Sequence, residues 1–248
     1  MTDEKFLDQK MDRREFLKKA GIGGAGLALG LSGASAFFAN QDSSSKNAYD
    51  GDEDISFFGK HQAGITTPMQ KACYLVVLDL HTTDKKDVIQ LFKDWTDYSS
   101  KLVEGELVKK DGSNALLPPT DTGETVGLNP YRLSLTFGVS ADFLKKLGLE
   151  SKRPKLFRDL PPFPKEQLQD KYTGGDIVIQ ACADDEQVAF HAVRNLIRKG
   201  RNKITMKWSK SGFAAIGDRK ETPRNLFGFK DGTANVTTEK EFDKVVWA

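Results

Sequence analysis

From residue 72 onward the chain switches between two hydrophobic periods. Ala72–Leu80 (ACYLVVLDL) is a nearly unbroken apolar run rich in β-formers, which predicts a buried strand. Asp84 follows as a candidate helix N-cap. Val88, Leu91, Phe92, Trp95, Ser99 and Leu102 then keep a helical spacing up to Gly105, a residue suited to ending a helix. Residues 132–139 (RLSLTFGV) alternate as a half-buried strand. Ser140 caps a short helix holding Phe143, Leu144 and Leu147, and Gly148 stops it. Residues 176–183 (DIVIQACA) predict a third strand. Asp184, Asp185 and Glu186 open a second long helix, where the backbone dipole favours negative charge. Its apolar stripe is Val188, Ala189, Ala192, Val193, Leu196 and Ile197, and Gly200 ends it. Residues 204–209 (ITMKWS) predict a fourth strand.

The order is β, α, β, short α, β, α, β. With the short helix taken as an insertion, this is βαββαβ, the ferredoxin-like α+β pattern. The first and third strands are expected as parallel neighbours. Cys73 opens one and Cys182 closes the other, so the two are expected at opposite ends of the sheet as free, buried thiols. Residues 106–130 contain DGSN, LPPT and GLNP, and residues 150–175 contain RP, LPPFP and a glycine pair. Loops this long are uncommon in compact domains and are usually functional or disordered. No internal repeat is visible.

Composition narrows the function. The 248 residues include 37 basic and 35 acidic side chains, a formal charge of +2, which is too small and too evenly spread for a nucleic-acid surface. Two Cys cannot make a disulfide scaffold or a Cys₄ metal site, and three His leave little for a histidine-rich centre, so no metal ligands are assigned.

The amino-terminal region has its own pattern. Residues 11–19 read MDRREFLKK, and residues 20–41 carry no charge and six glycines. Ala34-Ser35-Ala36 places small residues as a signal peptidase site needs. Twin Arg13 and Arg14 point to the Tat route, although Asp12 stands where that consensus usually has Ser or Thr. The expected organisation is a Tat signal at 1–36, a flexible polar linker at 37–56 and one domain at 57–248, with the protein exported to the periplasm or extracytoplasmic envelope. The Tat translocase is then a partner, and the mature chain is close to neutral, at 31 basic and 30 acidic residues.

The stretch most suggestive of chemistry is residues 223–235, PRNLFGFKDGTAN. Gly228, Asp231 and Gly232 form GxxDG beside Phe227 and Phe229. Glycines let a backbone approach a flat ligand, aromatic neighbours pack on its face, and a carboxylate in dry surroundings can move a proton. An Asp-Gly pair by itself is more often a plain turn.

Several separated segments together resemble the dye-decolourising (DyP-type) haem peroxidases, in the Tat-exported deferrochelatase/peroxidase branch. They are the leader, FFGKHQAGITTPMQ at 57–70, GGDIVIQACADDEQVAFHAVRNL at 174–196 and NLFGFKDGTAN at 225–235, in the family's order. The resemblance implies a ferredoxin-like half that forms one wall of a pocket for haem b. It implies that Asp231 is the acid/base that takes a proton from hydrogen peroxide and returns it to the departing oxygen. Gly232, Thr233 and Ala234 match the backbone that lies against the haem. Implied partners are hydrogen peroxide, an organic or porphyrin substrate and iron-uptake membrane components, with a homo-oligomer left open. The family's second half carries an axial His and an Arg beside the Asp. No counterpart of that half is found here, so the chain reads as an amino-terminal portion. His61, His81 and His191 do not match the axial position, and Arg219 and Arg224 read as a solvated basic loop. The alternative is a non-enzymatic haem- or iron-binding export protein, or an inactive remnant.

Overall fold

The computed structural model describes residues 55–109, 118–214, 224–236 and 238–247. The expected signal at 1–36 and nearly all of the linker at 37–56 lie outside the described residues. The elements are β1 (Ala72–Leu80), α1 (Lys85–Val103), β2 (Ser134–Val139), α2 (Ala141–Lys146), β3 (Ile177–Ala183), α3 (Glu186–Gly200), β4 (Ile204–Phe213) and α4 (Glu239–Val245). Short 3₁₀ turns occupy Glu150–Lys152 and Asp170–Tyr172 within the long connection.

Helix starts follow their caps. Asp84 accepts the Lys86 N–H at 2.8 Å, Ser140 accepts that of Phe143 at 3.1 Å, and Asp185 accepts those of Gln187 and Val188 at 2.8 and 3.1 Å. These bonds satisfy amides that a helix leaves without intrahelical partners. α4 begins with a capping box in which Thr238 and Glu241 bond each other's backbone.

The four strands lie in the order β2-β3-β1-β4, and every neighbouring pair is antiparallel. This is the ferredoxin-like arrangement, with one correction to the sequence reading. β1 and β3 are neighbours but run in opposite directions. Each helical crossover returns the chain in its starting direction, so β1 and β2 point one way and β3 and β4 the other. β3 slots between β1 and β2 and is antiparallel to both. Cys73 therefore faces Cys182 directly across the sheet instead of lying at the far end. Both thiols are free, as expected, but half-buried rather than fully enclosed.

α1 and α3 pack on one face of the sheet. Val76, Leu78, Ile177, Ile179 and Ala181 meet Leu91, Trp95 and Leu102 from α1 and Ala192, Val193 and Leu196 from α3. Trp95 is buried, and its indole N–H is satisfied by the Leu196 carbonyl at 2.8 Å, so its bulk enters the core without a stranded donor.

A strap at residues 62–70 crosses the β2 side. The Gln62 side-chain amide pairs twice with Phe137, donating to its carbonyl at 3.0 Å and accepting its N–H at 2.9 Å. Gln70 is buried and donates to Arg132 O, Ser134 Oγ and Cys182 O at 2.8, 2.9 and 3.1 Å. At the opposite end of the sheet, the buried Asp176 accepts the Leu80 N–H and the Lys146 ammonium, each at 2.6 Å.

Candidate functional site

The loop at 224–235 is organised by a residue that the sequence reading passed over. Asn225 Oδ1 accepts the N–H groups of Phe227 and Phe229 at 3.0 and 3.1 Å, while the Asn225 N–H donates to Phe229 O at 2.8 Å. Its Nδ2 donates to Asp231 Oδ1 at 3.0 Å. Arg224 closes the turn by an antiparallel bridge to Lys230 and a 2.7 Å bond to Gly228 O. Arg224 is exposed, in keeping with a solvated basic loop, and is also tied to the turn by this bond. Arg219 lies outside the described residues.

Gly228 and Gly232 sit at φ +82° and +76°, the left-handed region that glycine enters without penalty. The turn holds its apolar side chains outward: Leu226, Phe227 and Phe229 are 89%, 87% and 70% exposed. Asp231, Gly232, Thr233 and Ala234 follow, all exposed, with the Asn235 N–H bonded to Gly232 O at 3.1 Å. Among the described residues Asp231 Oδ2 has no partner, so the carboxylate is held by one oxygen and open at the other.

The three histidines are placed elsewhere. His61 stacks on Trp247 with ring centroids 3.7 Å apart and planes 5° from parallel. His81 bonds the Thr205 hydroxyl. His191, on α3, is buried between two carboxylates, with Nδ1 2.7 Å from Glu124 Oε2 and Nε2 3.5 Å from Asp121 Oδ1. His191 is thus placed as a structural imidazole.

The cluster around His191 secures the segment at 118–131. Asp121 accepts the N–H groups of Val108 and Gly123 at 2.8 and 2.7 Å. Glu124 meets Arg194 at 2.6 Å and accepts the Thr122 hydroxyl. Burial works to raise the Glu124 carboxyl, but bonds from Thr122, His191 and its own backbone, with the imidazole charge, outweigh it and hold it at about 2. The Asp-Thr-Gly turn at 121–123 was readable as a local signal. The histidine it serves was not, because they meet only after folding.

Residues 62–214 match the family described as Dyp-type peroxidase, N-terminal. This chain belongs to the DyP-type peroxidase family. The deferrochelatase of Escherichia coli O157:H7 is 35% identical over 243 residues, covering 95% of this chain and 57% of the relative. That of Escherichia coli K12 is 37% identical over 199 residues, 77% of this chain and 47% of the relative. Among solved structures, a DyP-type peroxidase from Streptomyces coelicolor superposes with a TM-score of 0.67 at 36% identity, over 77% of this chain and 50% of that one. Ferric DtpA from Streptomyces lividans gives 0.69 at 35%, over 81% and 53%. The chain spans about half the length of the curated relatives it matches.

Membership in the DyP-type family implies a haem, and the loop at 224–235 fits one side of such a group. Leu226, Phe227 and Phe229 hold apolar surface outward, where a flat apolar macrocycle would cover it. The glycines at 228 and 232 keep side chains off the turn. His191 has both ring nitrogens committed, so it fits no axial role as placed.

Proposed function

We propose that this chain forms the peroxide-side wall of a DyP-type haem peroxidase, exported through the Tat route by residues 1–36 to the periplasm or extracytoplasmic envelope. The observation that carries the reading is the outward apolar turn of 224–235, with Asp231 held at its base by Asn225. Haem b, when bound, would supply the redox-active iron. Leu226, Phe227 and Phe229 would cover one side of it and keep water away.

Asp231 would do the proton work. Its Oδ1 is oriented by Asn225, which leaves Oδ2 to accept a proton from hydrogen peroxide and return it to the departing oxygen. Organic dyes are one substrate class. Release of iron from a porphyrin is the other, supported by the deferrochelatase name of the curated relatives. Iron-uptake membrane components would then be partners.

The test is haem addition to the 248-residue chain, read by the Soret band and by peroxide-dependent dye oxidation. Haem association without the spectrum of a His-ligated iron is expected. A His-ligated spectrum abolished by alanine at His61, His81 or His191 would place the axial ligand in this chain and overturn the one-wall reading. In any haem-loaded form that turns over peroxide, Asp231→Asn should lower turnover by about a hundredfold or more with haem retained. Undiminished turnover removes Asp231 from the chemistry.

A further inference from the structure

Cys73 and Cys182 are opposite each other in an uninterrupted antiparallel register that runs from Ala72↔Ala183 to Leu78↔Ile177. The phase of that register follows from bonds at the ends of the sheet. The Ala214 N–H donates to Lys71 O at 2.8 Å, so alternate residues from Lys71, including Cys73, turn their backbone groups toward β4. The Ser140 N–H donates to Asp176 O at 2.9 Å, so Cys182 turns its own toward β2. Between β1 and β3 the cysteines are therefore a non-hydrogen-bonded pair, the closer of the two kinds. Its typical Cα separation of about 4.5 Å lies inside the range that a disulfide spans.

The surroundings of the two thiols differ. Across from Cys73 on β4 stands Gly212, and nothing lies within 4 Å of the position its Cβ would take. Cys73 is thus open on that flank. Across from Cys182 on β2 stands Ser134, whose hydroxyl is bonded to Gln70, and Gln70 also holds the Cys182 carbonyl. Cys182 is closed in on that side.

We propose that Cys73 and Cys182 are a peroxide-reactive dithiol, with Cys73 attacking and Cys182 resolving, that closes a reversible disulfide between β1 and β3. The Cys73 thiolate attacks one peroxide oxygen. The S–O bond forms, the O–O bond breaks, and hydroxide leaves and is protonated to water. The Cys182 sulfur then attacks the Cys73 sulfenic acid. The S–S bond forms, the S–O bond breaks, and the departing hydroxide takes the Cys182 proton. Two thiols are oxidised by two electrons, and one peroxide is reduced to two waters. The bond from Cys182 lowers the Cys73 thiol to about 7 against a smaller opposing effect of burial, while that same bond and burial push Cys182 up. Both directions suit the assigned roles. The oxidant is the substrate proposed above, but the step needs no haem.

The full chain, haem-free, is treated with equimolar hydrogen peroxide and, separately, with diamide, which oxidises dithiols without peroxide. The expected result in both arms is a monomer about 2 Da lighter with neither thiol open to alkylation, reversed by a dithiol reductant. A Cys73–Cys182 peptide should appear on digestion. In Cys182→Ser, a sulfenic-acid probe should label Cys73, and it should label Cys182 in Cys73→Ser about tenfold less. Two alkylatable thiols after diamide would overturn the pairing itself. A disulfide with diamide but none with peroxide would overturn the peroxide chemistry, whatever the fate of the haem reading. Equal or reversed labelling of the single variants would overturn the assigned roles, and a covalent dimer would overturn the intrachain bond.

Discussion

Glu124→Gln is the sharpest probe of how the long connection before β2 is secured. The carboxylate accepts bonds from Thr122, His191 and Arg194, and its side chain is 18% exposed. Its pKa falls from 4.5 to about 2 on folding. Each unit is worth about 1.4 kcal/mol, so the depression amounts to about 3 kcal/mol if fully expressed, and to about 1–2 kcal/mol after solvent screening of a carboxylate that stays partly exposed. A depressed acid stabilises the fold above its unfolded pKa and loses that contribution as pH falls through the folded one. The window is therefore pH 4.5 down to about 2. Gln keeps the shape and removes the charge. Urea unfolding of both forms, followed by tryptophan fluorescence between pH 2.5 and 7, should show the variant less stable by about 1–2 kcal/mol at pH 7, a gap that narrows below pH 4.5 and nearly closes at the acid end. A constant gap across the range, or none at pH 7, would refute the assignment of the charge to this network.

Two further substitutions test other elements. Gly175 has φ +122°, and a Cβ there would stand 2.2 Å from Val77 Cγ1, so Gly175→Ala should cost about 2 kcal/mol or more; an unchanged urea midpoint would contradict the close approach. Asn225→Ala removes the bonds that shape the exposed turn, so global stability should stay within about 0.5 kcal/mol while haem affinity of the chain falls about fivefold. Unaltered haem affinity would separate the loop from the haem.

The main elements were legible because their signals are local. Asp84, Ser140 and Asp185 announce helix starts through their own side chains, and the apolar stripes mark the faces of α1 and α3 that become core. The direction of β3 relative to β1 was misread, although it follows from the crossovers once the strand order is fixed. α4 was not legible even though Thr238 and Glu241 have capping-box spacing, because seven residues are too short to show a helical apolar period. Gln62, Gln70 and Glu124 were illegible for a physical reason. Their partners, Phe137, Ser134 and His191, are far away in sequence, and polar side chains of this kind carry no periodicity. In the loop at 225–235 the glycines and aromatics could be read, but the role of Asn225 could not.

The pair of hydrogen bonds between Gln62 and Phe137 also bears on how this protein behaves when crowded with copies of itself. β2 is an outer strand, and Phe137 would otherwise offer an N–H and a carbonyl to any extended chain that drifted alongside. A side-chain amide has the donor and acceptor of a peptide unit but no neighbouring units, so it fills one rung and ends the ladder. β4, the other outer strand, is guarded differently, by Lys207 and Lys210, whose charges resist a second sheet edge. One border is stoppered by mimicry and the other defended by repulsion, so a four-stranded sheet stays four-stranded.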